Sequence, residues 1–401
     1  MKIINYREIE GRSSGFLILL AILGLLALLG LGSAHYMEEH GHVVTGMTNQ
    51  IVWGIPHVFA VFLIVAASGA LNVASIGSVF GKSFYKPLAP LSALLAIGLL
   101  GGGLTVLMLD LGRPDRVIVA ATHYNFKSVF AWNVFLYSGF FGAVAIYIWT
   151  MMDKTVSSYT KPAGYLAFVV RLLLTTGTGS IFGFLVARQF YDSALLAPMF
   201  IIMSFSYGLA IYLGVLMASY KWTNRPLGDA VINRLKNLLG VFIAAVLLLV
   251  TIFHMTNLYF TKHHGVEAFI LLNGGIYTSL FWLGQIILGS LVPLVLLYAP
   301  GISKSRSAIA FACGLVILGG LSQMYVTIIG GQAYPLVLFP GYQESSSFFD
   351  GVVHNYSPSL PETLLGLGGM AIAGIIVTLG LKVLRFLPLS LADSVADPHA
   401  K

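Results

Sequence analysis

The densest charge in this chain is the run Asp110-Leu111-Gly112-Arg113-Pro114-Asp115-Arg116, which closes an apolar stretch. Ionisable groups packed against apolar helices are costly and are kept mainly where they do chemistry. Asp110 and Arg113 stand three apart and can meet on one helix face. The plain alternative is a helix stop, with Gly112 as C-terminal cap, Arg113 on the helix dipole and Pro114 ending the turn. Against it stand two arginines on a side of the molecule that otherwise holds few. Asp110 also reads as the only carboxylate beside the apolar part of any span. Other polar residues fall at the same depth: His57, His254, His123, Tyr124, Trp132 and Asn133, with Gln189 and Tyr191. Each histidine alone reads more readily as an ordinary interfacial residue than as a functional one. Together they form a polar rim suited to a quinone head group, whose oxygens accept hydrogen bonds and exchange protons. Asp110 and His57 are the expected proton-exchanging pair, and Arg113, His123, Tyr124, Trp132, Asn133 and His254 the expected quinone-binding set.

The elements that must position these groups are membrane helices. Of the 401 residues 57% are apolar and 9% charged, against about 25% charged in soluble domains. A span needs roughly 20 apolar residues. Ten are expected, at about 15–34, 51–79, 87–110, 127–152, 163–187, 195–220, 238–260, 272–299, 308–331 and 363–387. This predicts an all-α integral membrane protein, one polytopic domain over 1–401. Ser128-Val129-Phe130-Ala131-Trp132 and Ser279-Leu280-Phe281-Trp282 open the fourth and eighth spans, a short match. It suggests parallel four-helix units at 51–187 and 195–331, with flanking helices outside them.

The net charge of +7 is a topology signal, and no nucleic-acid partner is expected. Sixteen of the 22 basic residues fall on the termini and even-numbered connections, which places both termini in the cytoplasm and the chain in the inner membrane. The first apolar stretch is expected to be a retained helix, since no small-x-small cleavage pattern with a soluble domain follows it. His35, Glu38, Glu39, His40 and His42 are expected in the first exterior loop. The last exterior loop, about 332–362, has Glu344, Asp350 and Glu362 but no lysine or arginine. It is a docking face for a partner, an ordered cap or a solvated connector. Arg171 alone lies well inside a span, either snorkelling to the cytoplasmic interface or paired within the bundle.

Cofactor signatures are few. The single cysteine, Cys313, excludes a disulfide framework and a four-cysteine iron–sulfur site. No metal is expected. His57 and His254 share a depth, which leaves a haem geometrically allowed although none is expected.

From the Asp110–Arg116 run, the Trp- and Asn-bearing helix after it and the ten-helix layout, the chain resembles the polysulfide-reductase membrane-subunit family, NrfD/PsrC. Gly330-Gly331-Gln332-Ala333-Tyr334-Pro335 and Phe339-Pro340-Gly341-Tyr342 look most like the DsrP branch, associated with dissimilatory sulfite reductase. The resemblance implies a cofactor-free membrane anchor, the quinone-reactive subunit of a larger oxidoreductase and not catalytic alone. It would exchange electrons between the menaquinone or ubiquinone pool and an extracytoplasmic iron–sulfur protein, in sulfur metabolism. A secondary transporter and a haem-bearing cytochrome b-type subunit are the alternatives. A transporter would want ionisable ligands at the midplane, for which Arg171 is the one weak candidate.

Overall fold

The computed structural model describes residues 4–336, 339, 342 and 351–396. Among the described residues, ten helices are long and apolar enough to cross a membrane. They are α1 (Ser14–His40), α2 (Ile55–Ser78), α3 (Ser83–Leu109), α4 (Val129–Met152), α5 (Ser157–Gly183), α6 (Leu196–Trp222), α7 (Asp229–Tyr259), α8 (Ile276–Tyr298), α9 (Arg306–Ala333) and α10 (Leu360–Val383). The protein is an all-α integral membrane protein. A short antiparallel ladder of two-residue strands, β1 (Tyr6–Arg7) and β2 (Leu387–Pro388), ties the two ends of the chain together.

Several boundaries differ from the expected ones. α1 continues through His40, so His35, Glu38, Glu39 and His40 are helical and not loop. A polar turn extends the helix past its apolar stretch, supported by His35 and Glu39 one turn apart at 3.3 Å. α7 starts at Asp229, because hydrogen bonding runs on through Arg234 and Lys236, where hydropathy alone sees an end. α2 is interrupted at Leu71, between Ile55–Ala70 and Asn72–Ser78. Much of α8, Leu280–Leu291, is wound as a π-helix, as is Val326–Gly330 in α9.

Packing makes α2 the centre: 94% of its apolar window is buried, against 11% for α1. α2 packs on α3 and α6 and less extensively on α5 and α9, while α6 packs on α2, α5, α7 and α9. α4 lies on α5, α8 on α9, and α10 bridges α1 to α3 and α2. Lipid gives helices little hydrophobic reason to associate, so close approach of small residues carries much of the cohesion. At the α2–α6 crossing a Cβ on Gly69 would strike the Ser204 carbonyl, and one on Gly208 the backbone of Gly69 and Ala70. Gly289 and Gly319 meet in the same way between α8 and α9.

Arg171 does not snorkel. It is 1% exposed, donating to Asn72 Oδ1 at 3.0 Å and lying 4.9 and 5.1 Å from the ring centres of Phe168 and Phe205. The interruption of α2 brings Asn72 to it, and the aromatic faces take the place of a carboxylate.

Candidate functional site

The site is built where α2 begins and α3 ends. Gly54 caps α2 and Pro56 sits in its first turn, a position where the missing amide hydrogen costs nothing. This places His57 at the helix mouth, opposite Asp110, the C-cap residue of α3. His57 Nδ1 and Asp110 Oδ2 are 2.7 Å apart. The carboxylate is 1% exposed and the imidazole 17%. Asp110 Oδ1 is buried and has no hydrogen-bond partner among the described residues, an expensive state for a carboxylate oxygen unless a donor is delivered to it. Trp53 stacks on His57 at 5.9 Å and meets Phe130 of α4 and Phe182 of α5 at 6.0 and 5.6 Å. An aromatic wall therefore adjoins the pair.

Two polar clamps fix this mouth. Gln332, at the end of α9, accepts from the amides of Val52 and Trp53 at 2.9 and 3.1 Å and donates to the Trp53 carbonyl at 3.0 Å. Arg188 donates to the carbonyls of Gln332 and Gln50, and partial burial lowers its pKa from the ordinary value. On the other side the Tyr356 hydroxyl accepts from the Ile55 amide at 2.7 Å and donates to Glu362 Oε1 at 2.8 Å. Glu362 Oε2 accepts from the amides of Gly46 and Ser359 at 2.8 Å each. Burial raises the Tyr356 pKa far above its usual value, and Glu362 beside it adds to the effect, so this hydroxyl stays protonated.

A second histidine–carboxylate pair occupies the end of α7. His254 Nδ1 lies 2.6 Å from Glu267 Oε2, and Asn257 donates to Glu267 Oε1 at 2.8 Å. Asn257 Oδ1 is in turn 3.1 Å from His263 Nδ1.

Asp110 is therefore not alone. Glu267 and Glu362, both 0% exposed, also lie against span ends. Glu362, expected at the end of the last exterior loop, belongs to the first turn of α10, where it closes a capping box with Ser359. Nor does Arg113 meet Asp110. The chain turns at Arg113, whose guanidinium takes the adjacent Asp115 at 3.0 Å in solvent, raising the Arg113 pKa and lowering that of Asp115.

The remaining expected residues fall into three places. His123 and Tyr124 lie in the exposed connection before α4, His123 against Thr122 at 3.0 Å and Tyr124 against Phe126 and Phe135. Trp132 is half exposed, its indole donating to the Phe126 carbonyl. Asn133 is buried, donating to Val129 and Gly177, with its own Oδ1 unpartnered among the described residues. His254 stands with Glu267 and not with Asp110. Trp53, Tyr356 and Glu267 carry no signal in their local sequence beyond residue type, and the motif around Gln332 does not reveal its clamp on Val52 and Trp53. Among the described residues no three His, Cys, Asp or Glu side chains gather as a metal site.

The family described as "Polysulphide reductase, NrfD" matches residues 43–335. The chain is 28% identical to the "Hdr-like menaquinol oxidoreductase integral membrane subunit" of Archaeoglobus fulgidus, over 98% of this chain and 99% of that protein. It is 22% identical to a subunit of the selenate reductase of Mesobacillus selenatarsenatis, over 95% of this chain and 96% of that subunit. It is 24% identical to a component of the polysulfide reductase of Wolinella succinogenes, over 71% of this chain and 96% of that component.

Proposed function

The chain belongs to the polysulphide reductase NrfD family, and on that footing we propose that it is the quinol-interacting membrane subunit of a redox complex. It exchanges electrons between the menaquinone or ubiquinone pool and an extracytoplasmic iron–sulfur partner. Relatives named for menaquinol oxidation and for polysulfide and selenate reduction support this reading. Within it, a complex of sulfur metabolism, of the kind associated with dissimilatory sulfite reductase, is the narrower assignment we favour.

The observation that carries it is the 2.7 Å His57–Asp110 contact beside a buried, unpartnered Asp110 Oδ1. A quinol supplies a pair of electrons and two protons when bound. His57 would take one proton, and the other would leave to water at the helix mouth, where the imidazole is 17% exposed. Asp110 Oδ2 holds the hydrogen on His57 Nδ1, which leaves Nε2 as the acceptor for a hydroxyl proton. The carboxylate then steadies the imidazolium. Asp110 Oδ1 takes a second donor, and the Trp53 face covers the ring. Electrons leave to the partner's cluster on the outer side, where basic residues are few.

The test uses membranes holding matched amounts of assembled complex and a water-soluble quinol. His57→Phe keeps an aromatic ring and should abolish reduction of the partner's clusters. Wild-type turnover in that variant would return the pair to a structural role. Ser346 lies outside the described residues. A cysteine placed there should react with an impermeant reagent added from the extracytoplasmic side. Labelling only from the cytoplasmic side would invert the topology.

We also read the chain as two four-helix units, 51–187 and 195–331. Their support is duplicated packing: α2 on α3 and α5, as α6 on α7 and α9. The Trp132 and Trp282 indoles also each bond a carbonyl before their helix, at 2.8 and 2.9 Å.

A further inference from the structure

The second unit contains polar groups that the quinol reading does not use. Below His254, two small cavities each have room for about one water. The upper one is lined by His254, Thr327, Gln285 and Gln323 within an apolar ring that includes Phe190, Phe253 and Phe281. The lower shares Gln285 and Gln323 and adds Ser206, Tyr207 and Ser290. Tyr207 donates to Gln323 Oε1 at 2.5 Å, and Ser290 to the Gln285 carbonyl at 3.0 Å. That carbonyl is five residues back, as the π-winding of α8 allows. π-turns are frequent at functional positions. Polar side chains so far from a helix end are costly unless they serve each other or water.

We propose that Glu267 and His254 form a proton-storing site, in exchange with water held in these two cavities and separate from the His57–Asp110 pair. Glu267 is fully shielded and both its oxygens are engaged, so exchange passes through the imidazole. A proton received at His254 Nε2 from cavity water is balanced by the Nδ1 proton moving to Glu267 Oε2. No electron moves. The facing ionisable groups leave room for this charge. Lys262 is paired with Asp192 at 3.1 Å, and Arg188 is held by two carbonyls. His263 bonds Asn257, and burial followed by the Lys262 ammonium lowers its pKa. The lower cavity reaches Ser206 and Tyr207, and the role assigned to the site is confined to storage and exchange of a proton.

Infrared difference spectroscopy on the full chain in lipid tests this. Lowering pH should raise a protonated-carboxyl band that shifts in heavy water, persists in Asp110→Asn and vanishes in Glu267→Gln. Gln323→Leu, or Gln285→Leu if the first does not fold, should keep the band. Its exchange should slow about tenfold, the effect of one unmade buried hydrogen bond. A band that survives Glu267→Gln, no carboxyl band at any pH, or unchanged exchange in the leucine variants would each overturn the proposal.

Discussion

His57 meets Asp110 at 2.7 Å and His254 meets Glu267 at 2.6 Å, yet the two carboxylates differ in what remains to them. Glu267 spends its other oxygen on Asn257, and His263 continues that network. Asp110 spends nothing on Oδ1, and among the described residues no amide or hydroxyl is spared for it. The first histidine also has the Trp53 face beside it, and the second is packed among Phe190, Phe253 and Phe281. Identical functional groups thus sit in opposite conditions, one left unfinished at a helix mouth and the other completed from within. In the proposed function, unmet hydrogen-bonding capacity, more than residue type, is what would separate a place for a quinol from a place for an internal proton.

The largest effect should come from removing the unfinished carboxylate. Asp110→Asn preserves shape but can no longer steady the imidazolium on which proton transfer at His57 depends. It should lower quinol-dependent reduction of the partner by about 10²–10⁴-fold, the usual range for lost proton transfer. Turnover at wild-type level would leave Asp110 as a helix cap and break the contrast. Glu362→Leu comes next, because Glu362 is completed in the manner of Glu267. It should destabilise the protein by about 1–3 kcal/mol for each stranded partner, measured as a lower melting temperature. Turnover per assembled complex should fall far less than in Asp110→Asn, because one clamp on the mouth is lost while the His57–Asp110 pair itself remains. Glu267→Gln should retain most of the quinol turnover, since its network lies apart from His57. A loss as deep as that of Asp110→Asn would merge the two pairs into one site. Arg113→Ala should change neither turnover nor melting, because exposed ion pairs contribute little.

Much of the frame was legible in the sequence. Apolar length alone located ten spans, and the charged run ending at Arg116 pointed to Asp110 as a membrane-edge carboxylate. What lay beyond reach was pairing across space. Asp110 finds a histidine 53 positions away and not the arginine three positions on, since the chain turns at Arg113 and its guanidinium is taken by Asp115. Glu267 follows Lys262, His263 and His264, a composition indistinguishable from a solvated connection. Its burial depends on α7 ending where Asn257 can receive it. Gln332 contributed to a family likeness but nothing local reveals that it holds the backbone of Val52 and Trp53. A single glutamine cannot announce a contact 280 residues away.

The seating of α1 has a bearing on how the protein is made. α1 is the most apolar of the ten spans, with a mean hydropathy of 2.7, and its principal neighbour is α10. During synthesis it enters the bilayer well before that neighbour exists and must wait there as a solitary helix. Its strongly apolar surface suits it to lipid on all sides in the interval. When α10 arrives, Gly30 closes against Gly368, and Tyr6 and Arg7 are drawn beside Leu387 and Pro388. α1 is thus inserted long before the neighbour on which it docks. A ribosome stalled before α10 would leave α1 drifting beside a bundle that is otherwise built.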